Sequence, residues 1–245
     1  MMSHDIWSLH RVTNHPSGHW ISPLESGLDD ISVELPDRVP LSLALDDALE
    51  QRASCRRFAD EPLALNAVST LLGAGYGCGP KVSVEGTEFA SRPVPSAGAK
   101  YPLQLHLLIR SVSGLPPGAY RYVPEEHRLS PSGPGVASAA LAELFLGQPY
   151  LIPAAAVVVL AGSLEKTAAR YGDRAYRYVL FEAGHVAQNL SLAAAALEMG
   201  CLNLGGFLDD GLANVLRLDA GVAPLYGLAL GKPAGSDRDD LRRIA

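Results

Sequence analysis

The chain lacks most of the features that reveal a function at sight. Its 245 residues include only three cysteines. Cys55, Cys78 and Cys201 lie far apart with no CxxC pair, so neither a disulfide framework nor a thiolate zinc centre is supported. They read as reduced thiols, which predicts a cytoplasmic protein. Positive charge is not in excess: 20 Lys and Arg stand scattered against 26 Asp and Glu, so nucleic acid is not an expected partner. No stretch reaches about 18 uninterrupted apolar residues, and the opening MMSHDIWSLH has neither the basic start nor the apolar run of a signal peptide. A membrane partner is therefore not expected either. HExxH, the P-loop, GxSxG and GxGxxG are all missing, which leaves zincin, phosphate-loop, nucleophile-elbow and Rossmann chemistry unsupported. His15 and His19 are four residues apart, but in a Pro- and Gly-containing arm they are not expected to share a helix face, so no metal is predicted.

What is present is a sequence that can build a core. Hydrophobic residues make up 48% of the chain, ample for one large domain. Residues 1–40, rich in His, Pro, Ser and Asp, read as an N-terminal arm, and 41–245 as the folded domain. Amphipathic spacing predicts a helix from about Ser42, as cap, to Arg52, and another over 65–75. LQLHLLIRSV (103–112) reads as a largely buried strand, and 118–131 as a hairpin turning at Pro124-Glu125-Glu126. VASAALAELFLG reads as a helix, and PAAAVVVLAG (153–162) as a central strand covered on both faces. A long helix is predicted over about 173–199, with Asp173 as N-cap and Gly200 as stop. Along it Tyr178, Phe181, His185, Gln188 and Leu192 share one stripe, which suits a subunit contact, a ligand or an ordinary core face. A glycine-punctuated segment (200–210), a short helix and a last strand, PLYGLALG (224–231), complete an α+β layered domain.

Four short stretches could carry chemistry, each with a plain alternative beside it. Arg52, Ser54, Arg56 and Arg57 crowd three guanidinium groups and a hydroxyl into RASCRRF, which suits a phosphate; a solvated basic helix end is the alternative. In PSAGAKYP, residues 95–102, the small Ser96, Ala97 and Gly98 would let a planar ligand approach the backbone, unless this is only a loop before a strand. Gly205-Gly206 can present backbone N–H groups to a ligand or simply turn the chain. Lys232 puts a cation at the end of a buried strand, or in an exposed turn.

The order of these stretches is more telling than any one of them. Arg-x-Ser-x-Arg-x-Phe (52–58) is followed by Arg-Pro-Val-Pro-Ser-Ala-Gly (92–98) and Leu-Pro-Pro-Gly-x-Tyr-x-Tyr (115–122). Then come Arg-Tyr-x-x-Arg-Ala-Tyr-Arg-Tyr (170–178), Glu-Ala-Gly-His-x-x-Gln-Asn (182–189) and Gly-Gly-Phe-x-Asp-Asp (205–210). From about Leu43 to Pro233 this succession resembles the nitroreductase superfamily and, more narrowly, the SagB-type dehydrogenases of thiazole- and oxazole-modified peptide biosynthesis. The resemblance implies a nitroreductase-like fold, a mixed central β-sheet flanked by helices in αβα layers, with FMN at the interface of a homodimer. It assigns Arg52, Ser54 and Arg56 to the phosphate and ribityl chain, with Ala53 where a basic residue is common. It assigns Pro95, Ser96 and Ala97 to the edge of the flavin ring and the Gly205-Gly206 backbone to its reactive nitrogen. Lys232 would close on the phosphate, and Gln188 and Asn189 would meet flavin or the second subunit.

The Lys100-Tyr101 pair resembles the azoline oxidases, in which it is associated with catalysis. The implied activity is oxidation of a thiazoline or oxazoline in a ribosomal peptide or a carrier-bound nonribosomal intermediate, with oxygen as final acceptor and a cyclodehydratase as a possible partner. Such a reaction removes a proton from the former amino-acid α-carbon and a hydride from the adjacent ring carbon, so a positioned base is needed. Tyr101 would be that base, its phenolate favoured by the Lys100 ammonium. Neighbours in an extended strand point to opposite faces, so the pair converges only if the backbone turns there. The alternatives are a flavin reductase or dehydrogenase of the same fold with another small substrate, or a non-catalytic docking subunit of a cyclodehydratase complex.

Overall fold

A computed structural model describes residues 6–15, 32–84 and 87–235; the arm's Trp20 and His19 and the polar tail lie outside the described residues. In the arm, α1 (Ile6–Arg11) lies against later helices, and β1 (Val33–Glu34) adds a short strand to the main sheet. Then follow α2 (Leu45–Gln51), β2 (Phe58–Ala59), α3 (Leu65–Tyr76), β3 (Lys81–Val84) and β4 (Thr87–Ala90). β5 (Leu103–Ile109) and the hairpin of β6 (Gly118–Val123) and β7 (Arg128–Gly133) lead to α4 (Ser138–Leu144) and β8 (Ala156–Ser163). The chain continues through α5 (Leu164–Tyr171), α6 (Ala175–Ala196), β9 (Gly200–Leu204), α7 (Asp209–Leu216) and β10 (Val222–Pro233).

The main sheet runs β1-β7-β6-β5-β8-β10-β2, with β9 also paired to β10. Every pair of named strands in it is antiparallel rather than mixed. Among the described residues, parallel pairing is confined to isolated bridges such as Ser54 to Cys201. β8 earns its central place by composition: Ala156, Val158 and Leu160 enter one core while Val157 and Val159 enter the other. On the first face pack α3 and α6, whose Leu71, Leu72, Val186 and Leu190 are fully buried, each contributing about 1.5–3 kcal/mol. A Cβ on Gly75 would stand 2.4 Å from Leu190 Cδ2, so any larger residue there would force Leu190 or the helix to shift. The other face is covered by α4 and α7, through Leu144, Phe145, Leu212 and Val215.

Three local expectations shift. The Ser42 cap is not used: α2 starts after Ala44, and no side chain caps it. The long helix starts after Arg174, because Gly172–Arg174 forms a separate 3-10 turn and Asp173 makes no cap bond. Its buried stripe is Val179, Glu182, Ala183, Val186 and Leu190, so the Tyr178 to Leu192 stripe faces outward, with Phe181 57% exposed.

Candidate functional site

Two groups of candidate residues form, at opposite ends of the sheet. The first gathers where β9 begins and β10 ends. Arg52 terminates α2 in an extended conformation. The next residues run alongside β9: Ser54 bridges Cys201, and the Cys55 N–H donates to the Cys201 carbonyl at 2.9 Å. This approach requires Gly200, whose Cβ would stand 2.6 Å from Cys55 Sγ. A cavity of about 220 Å³ results, lined by Arg52, Ala53, Ser191, Gly200, Cys201 and Pro233. Arg56 is exposed beside it, and Lys232, also exposed, pairs with Glu61. Cys201 itself is inert, its thiol pushed by burial up to about 11.

Gly205-Gly206 follows the other end of β9, about 16 Å away at roughly 3.3 Å per residue. Open space lies in front of Gly205, and Phe207, buried edge-on against Phe145 at 6.1 Å, pins the loop from behind. Asp209 then opens α7, accepting the His15 N–H at 3.0 Å with His10 Nε2 at 4.0 Å. The arm therefore reaches the glycine loop. Burial moves both members of the His10–Asp209 pair towards their neutral forms.

The second group surrounds Tyr101. Gly98, Ala99 and Tyr101 all have positive φ, at 60°, 51° and 45°. The backbone therefore turns sharply before β5, as convergence of Lys100 and Tyr101 requires. Two of these residues are not glycine, a strained geometry that its surroundings must hold. They do so through Ser96, whose Oγ accepts the Tyr101 N–H at 2.8 Å, and Lys166, which donates to the Tyr101 carbonyl at 3.1 Å. The cation over the Tyr101 ring is the Arg92 guanidinium, 5.1 Å from its centroid and 4.4 Å from that of Tyr76. The Lys100 ammonium forms no hydrogen bond or ion pair with a described residue.

Glu182, 2% exposed, is the residue that sequence reasoning missed. It accepts the Tyr76 hydroxyl at 2.9 Å and lies beside Ser96. Burial raises its pKa, while the hydroxyls, Arg92 and Lys166 oppose that shift. The available signal was a carboxylate spaced with Val179, Val186 and Leu190 on an apolar stripe.

The remaining candidates fall between the two groups. Pro95, Ser96 and Ala97 run beside α6, where Asn189 Nδ2 donates to the Pro93 carbonyl at 3.2 Å, whereas Gln188 is exposed. Leu103 pairs with Gly162, Gly162 with Ala223, and Lys232 lies nine residues further along β10. Tyr101 and Lys232 of one chain are thus separated by roughly 30 Å or more of sheet. Among the described residues, no group of three or more His, Cys, Asp or Glu could hold a metal ion, and no helix is long and apolar enough to cross a membrane.

A family model described as Nitroreductase family matches residues 49–232, a span that includes both groups. The chain belongs to the nitroreductase family. Members of this family generally use flavin cofactors and are oxidoreductases. A candidate nitroreductase of Methanocaldococcus jannaschii is 36% identical over 190 residues, covering 78% of this chain and 91% of the relative. The trifolitoxin-processing protein TfxB of Rhizobium leguminosarum bv. trifolii is 26% identical over 76% of this chain. The microcin B17-processing protein McbC of Escherichia coli is 30% identical over 55% of it. The chain's match spans about half the length of these two processing proteins, 52% of each. A nitroreductase-family crystal structure from Anabaena variabilis superposes with a TM-score of 0.71 at 29% identity, covering 83% of this chain and 42% of that one. The E. coli microcin synthetase McbBCD complex shares the fold, with a TM-score of 0.63 at 22% identity over 96% of this chain and 84% of that one.

Proposed function

We propose that this nitroreductase-family chain is an FMN-dependent dehydrogenase of the SagB type, oxidising thiazoline or oxazoline rings to azoles in peptide natural-product maturation. The observation that carries this is Tyr101, held at φ 45° by Ser96 and Lys166 with Arg92 over its ring, in a chain similar to two peptide-processing proteins. The residues present fit FMN. A basic cavity at Arg52 and the open glycine loop at Gly205 stand about 16 Å apart along β9, a spacing suited to a phosphate at one end and a planar ring at the other. When bound, the flavin would supply the hydride acceptor.

The protein's own part is binding, positioning and proton transfer. Arg52, Ser54, Arg56 and Lys232 hold the phosphate and ribityl end. Gly205-Gly206 offers backbone N–H groups at the ring. Tyr101 removes the α-proton, with the Arg92 guanidinium over its ring and Lys100 adjacent in sequence. Glu182, through Ser96, keeps the strained turn in place. Molecular oxygen is the final electron acceptor in this scheme.

Because Tyr101 and Lys232 of one chain are so far apart, a site using both needs a second copy. The surface supports a homodimer: Leu45 on α2 and Phe181 on α6 are 65% and 57% exposed, and an apolar trough of about 270 Å³ lies between these helices. There Asn189 and Gln188 would meet the second subunit or its flavin. The folded domain is taken as 41–245, with 1–40 an arm whose residues 6–15 lie against α5, α6 and α7. The protein would work in the cytoplasm beside a cyclodehydratase.

The test is direct. Purified protein should be yellow, and a synthetic thiazoline peptide should lose two hydrogens on incubation in air. The M. jannaschii relative favours a second reading, reduction of a small nitroaromatic or quinone substrate. Fast NAD(P)H-driven nitro reduction without azoline turnover would establish that instead.

A further inference from the structure

The cleft beside Tyr101 contains more positive charge than positioning of Tyr101 requires. β5 and β6 pair only from Ile109 and Gly118 to His106 and Arg121. Beyond that point β5 stays with β8 and β6 with β7, so the two strands part towards Tyr101. A cavity of about 200 Å³ occupies the gap, lined by Tyr101, Gln104, Arg121, Lys166 and the Arg92–Glu125 pair, among others.

The charges there do not balance. Arg92 is committed, donating to the Tyr76 carbonyl and, at 2.7 Å, to Glu125. Lys166 donates only to the Tyr101 carbonyl, and Arg121 makes no hydrogen bond or ion pair with a described residue. His106, opposite Arg121, stays neutral, its pKa lowered to about 4 by burial and by that guanidinium. Arg121 and Lys166 therefore line a small cleft whose carboxylate, Glu125, is already paired with Arg92. Such an arrangement concentrates anions, and the planar fork of arginine suits a carboxylate in particular.

We propose that this cleft binds a carboxylate of the substrate, with Arg121 and Lys166 as its receptors, so that the preferred azoline is one carrying a carboxylate next to the ring. The inference rests on the azoline scheme and narrows its substrate class. The α-carbon that Tyr101 deprotonates is bonded to a carbonyl group, so the atoms that follow the ring enter the space beside Tyr101. At about 200 Å³ the cleft is smaller than a typical whole-ligand pocket of roughly 300–1,000 Å³ and takes only that end of a larger molecule. The carboxylate has two sources, a chain terminus directly after the azoline or an acidic side chain one residue on.

The experiment uses FMN-loaded protein and three synthetic peptides. One ends in a thiazoline free acid, the second is its terminal amide, and the third is an amide with Asp after the ring. The free acid or the Asp peptide should exceed the plain amide in kcat/KM by about tenfold or more, as expected for one charge-assisted contact. Which of the two leads identifies the source. Arg121→Gln should abolish the preference, mainly through KM, and Lys166→Met should reduce it. Equal kcat/KM for all three peptides in the wild type, or a preference that survives both variants, would overturn the proposal.

If no peptide is oxidised, the azoline scheme fails while the cleft remains testable. Calorimetric titration with thiazole-4-carboxylate and thiazole-4-carboxamide requires no turnover. Binding of the carboxylate alone, weakened in Arg121→Gln, sustains the anion site, and equal binding of both probes removes it.

Discussion

The Tyr76 hydroxyl donates to Glu182 Oε1 at 2.9 Å, and Ser96, which lies beside the same carboxylate, accepts the backbone N–H of Tyr101 at 2.8 Å. A buried acid on α6 thus holds a ring from α3 and the turn that precedes β5. The Tyr76 ring also meets the Tyr101 ring edge-on, with centroids 6.4 Å apart. Burial sets the pKa of Glu182 above its ordinary value of 4.5. The folded chain therefore holds this proton more tightly than the unfolded chain does. Its contribution favours folding at acid pH and declines as pH rises from about 4.5 through the folded value. In Glu182→Gln that decline should be absent. Thermal melts of the two proteins should show the Tm of the variant gaining on the wild type as pH is raised through this window, and parallel curves would contradict the assignment.

Tyr101→Phe should retain its flavin and fold while azoline oxidation falls roughly 100-fold or more, the usual contribution of a positioned base. Flavin absorbance and single-turnover product formation separate the two effects. Unchanged turnover would remove Tyr101 as the base and leave the flavin assignment intact.

These two cases show what the sequence could and could not reveal. Residues that act through a local pattern were readable: the β-branched run of β8, the apolar face of α3, the hairpin turning near Glu125, and the ordered motifs from Arg52 to Gly206. What was hidden depends on pairing distant in sequence. Glu182 reads as one polar residue of a helix until Tyr76, 106 positions earlier, is seen on it. The outward direction of Phe181 was hidden too, because α6 carries apolar residues on more than one face and only packing against α3 selects which is buried. The arm could not be placed either, since the grip of Asp209 on His15 spans 194 positions.

Arg52→Ala should weaken flavin binding by about tenfold or more, measured as quenching of flavin fluorescence on titration into apoprotein. Lys232→Ala should cost less. Its ion pair with Glu61 is more than half exposed on both sides, and pairs of that kind are worth about 0–1 kcal/mol, so the lysine is held loosely wherever it points.

His106 gives the fold a dependence on acid. It is 3% exposed, and burial lowers its pKa from 6.5 to about 4. The neutral ring is thus favoured in the folded state, so its contribution is fully present above pH 6.5 and is lost as pH falls towards 4. The loss is on the order of 3 kcal/mol at the acid end. Denaturant titrations at pH 7 and pH 4.5 should show His106→Gln losing less stability between them than the wild type.

The last prediction concerns the exposed apolar face. Leu45 and Phe181 protrude from α2 and α6, helices that touch each other, beside the trough that Leu192 and Asn189 help to line. A charge placed there costs a monomer little, since the side chain already stands in water, but it would be expensive in a dimer that buries this face. Phe181→Glu should therefore shift the protein from dimer to monomer in sedimentation equilibrium while its thermal unfolding stays cooperative. If the flavin site draws on both copies, the same variant should lose its yellow colour at protein concentrations where the wild type keeps it. A monomer that retains its flavin would show that one chain builds the site alone, and it would then have to do so without bringing Tyr101 and Lys232 together.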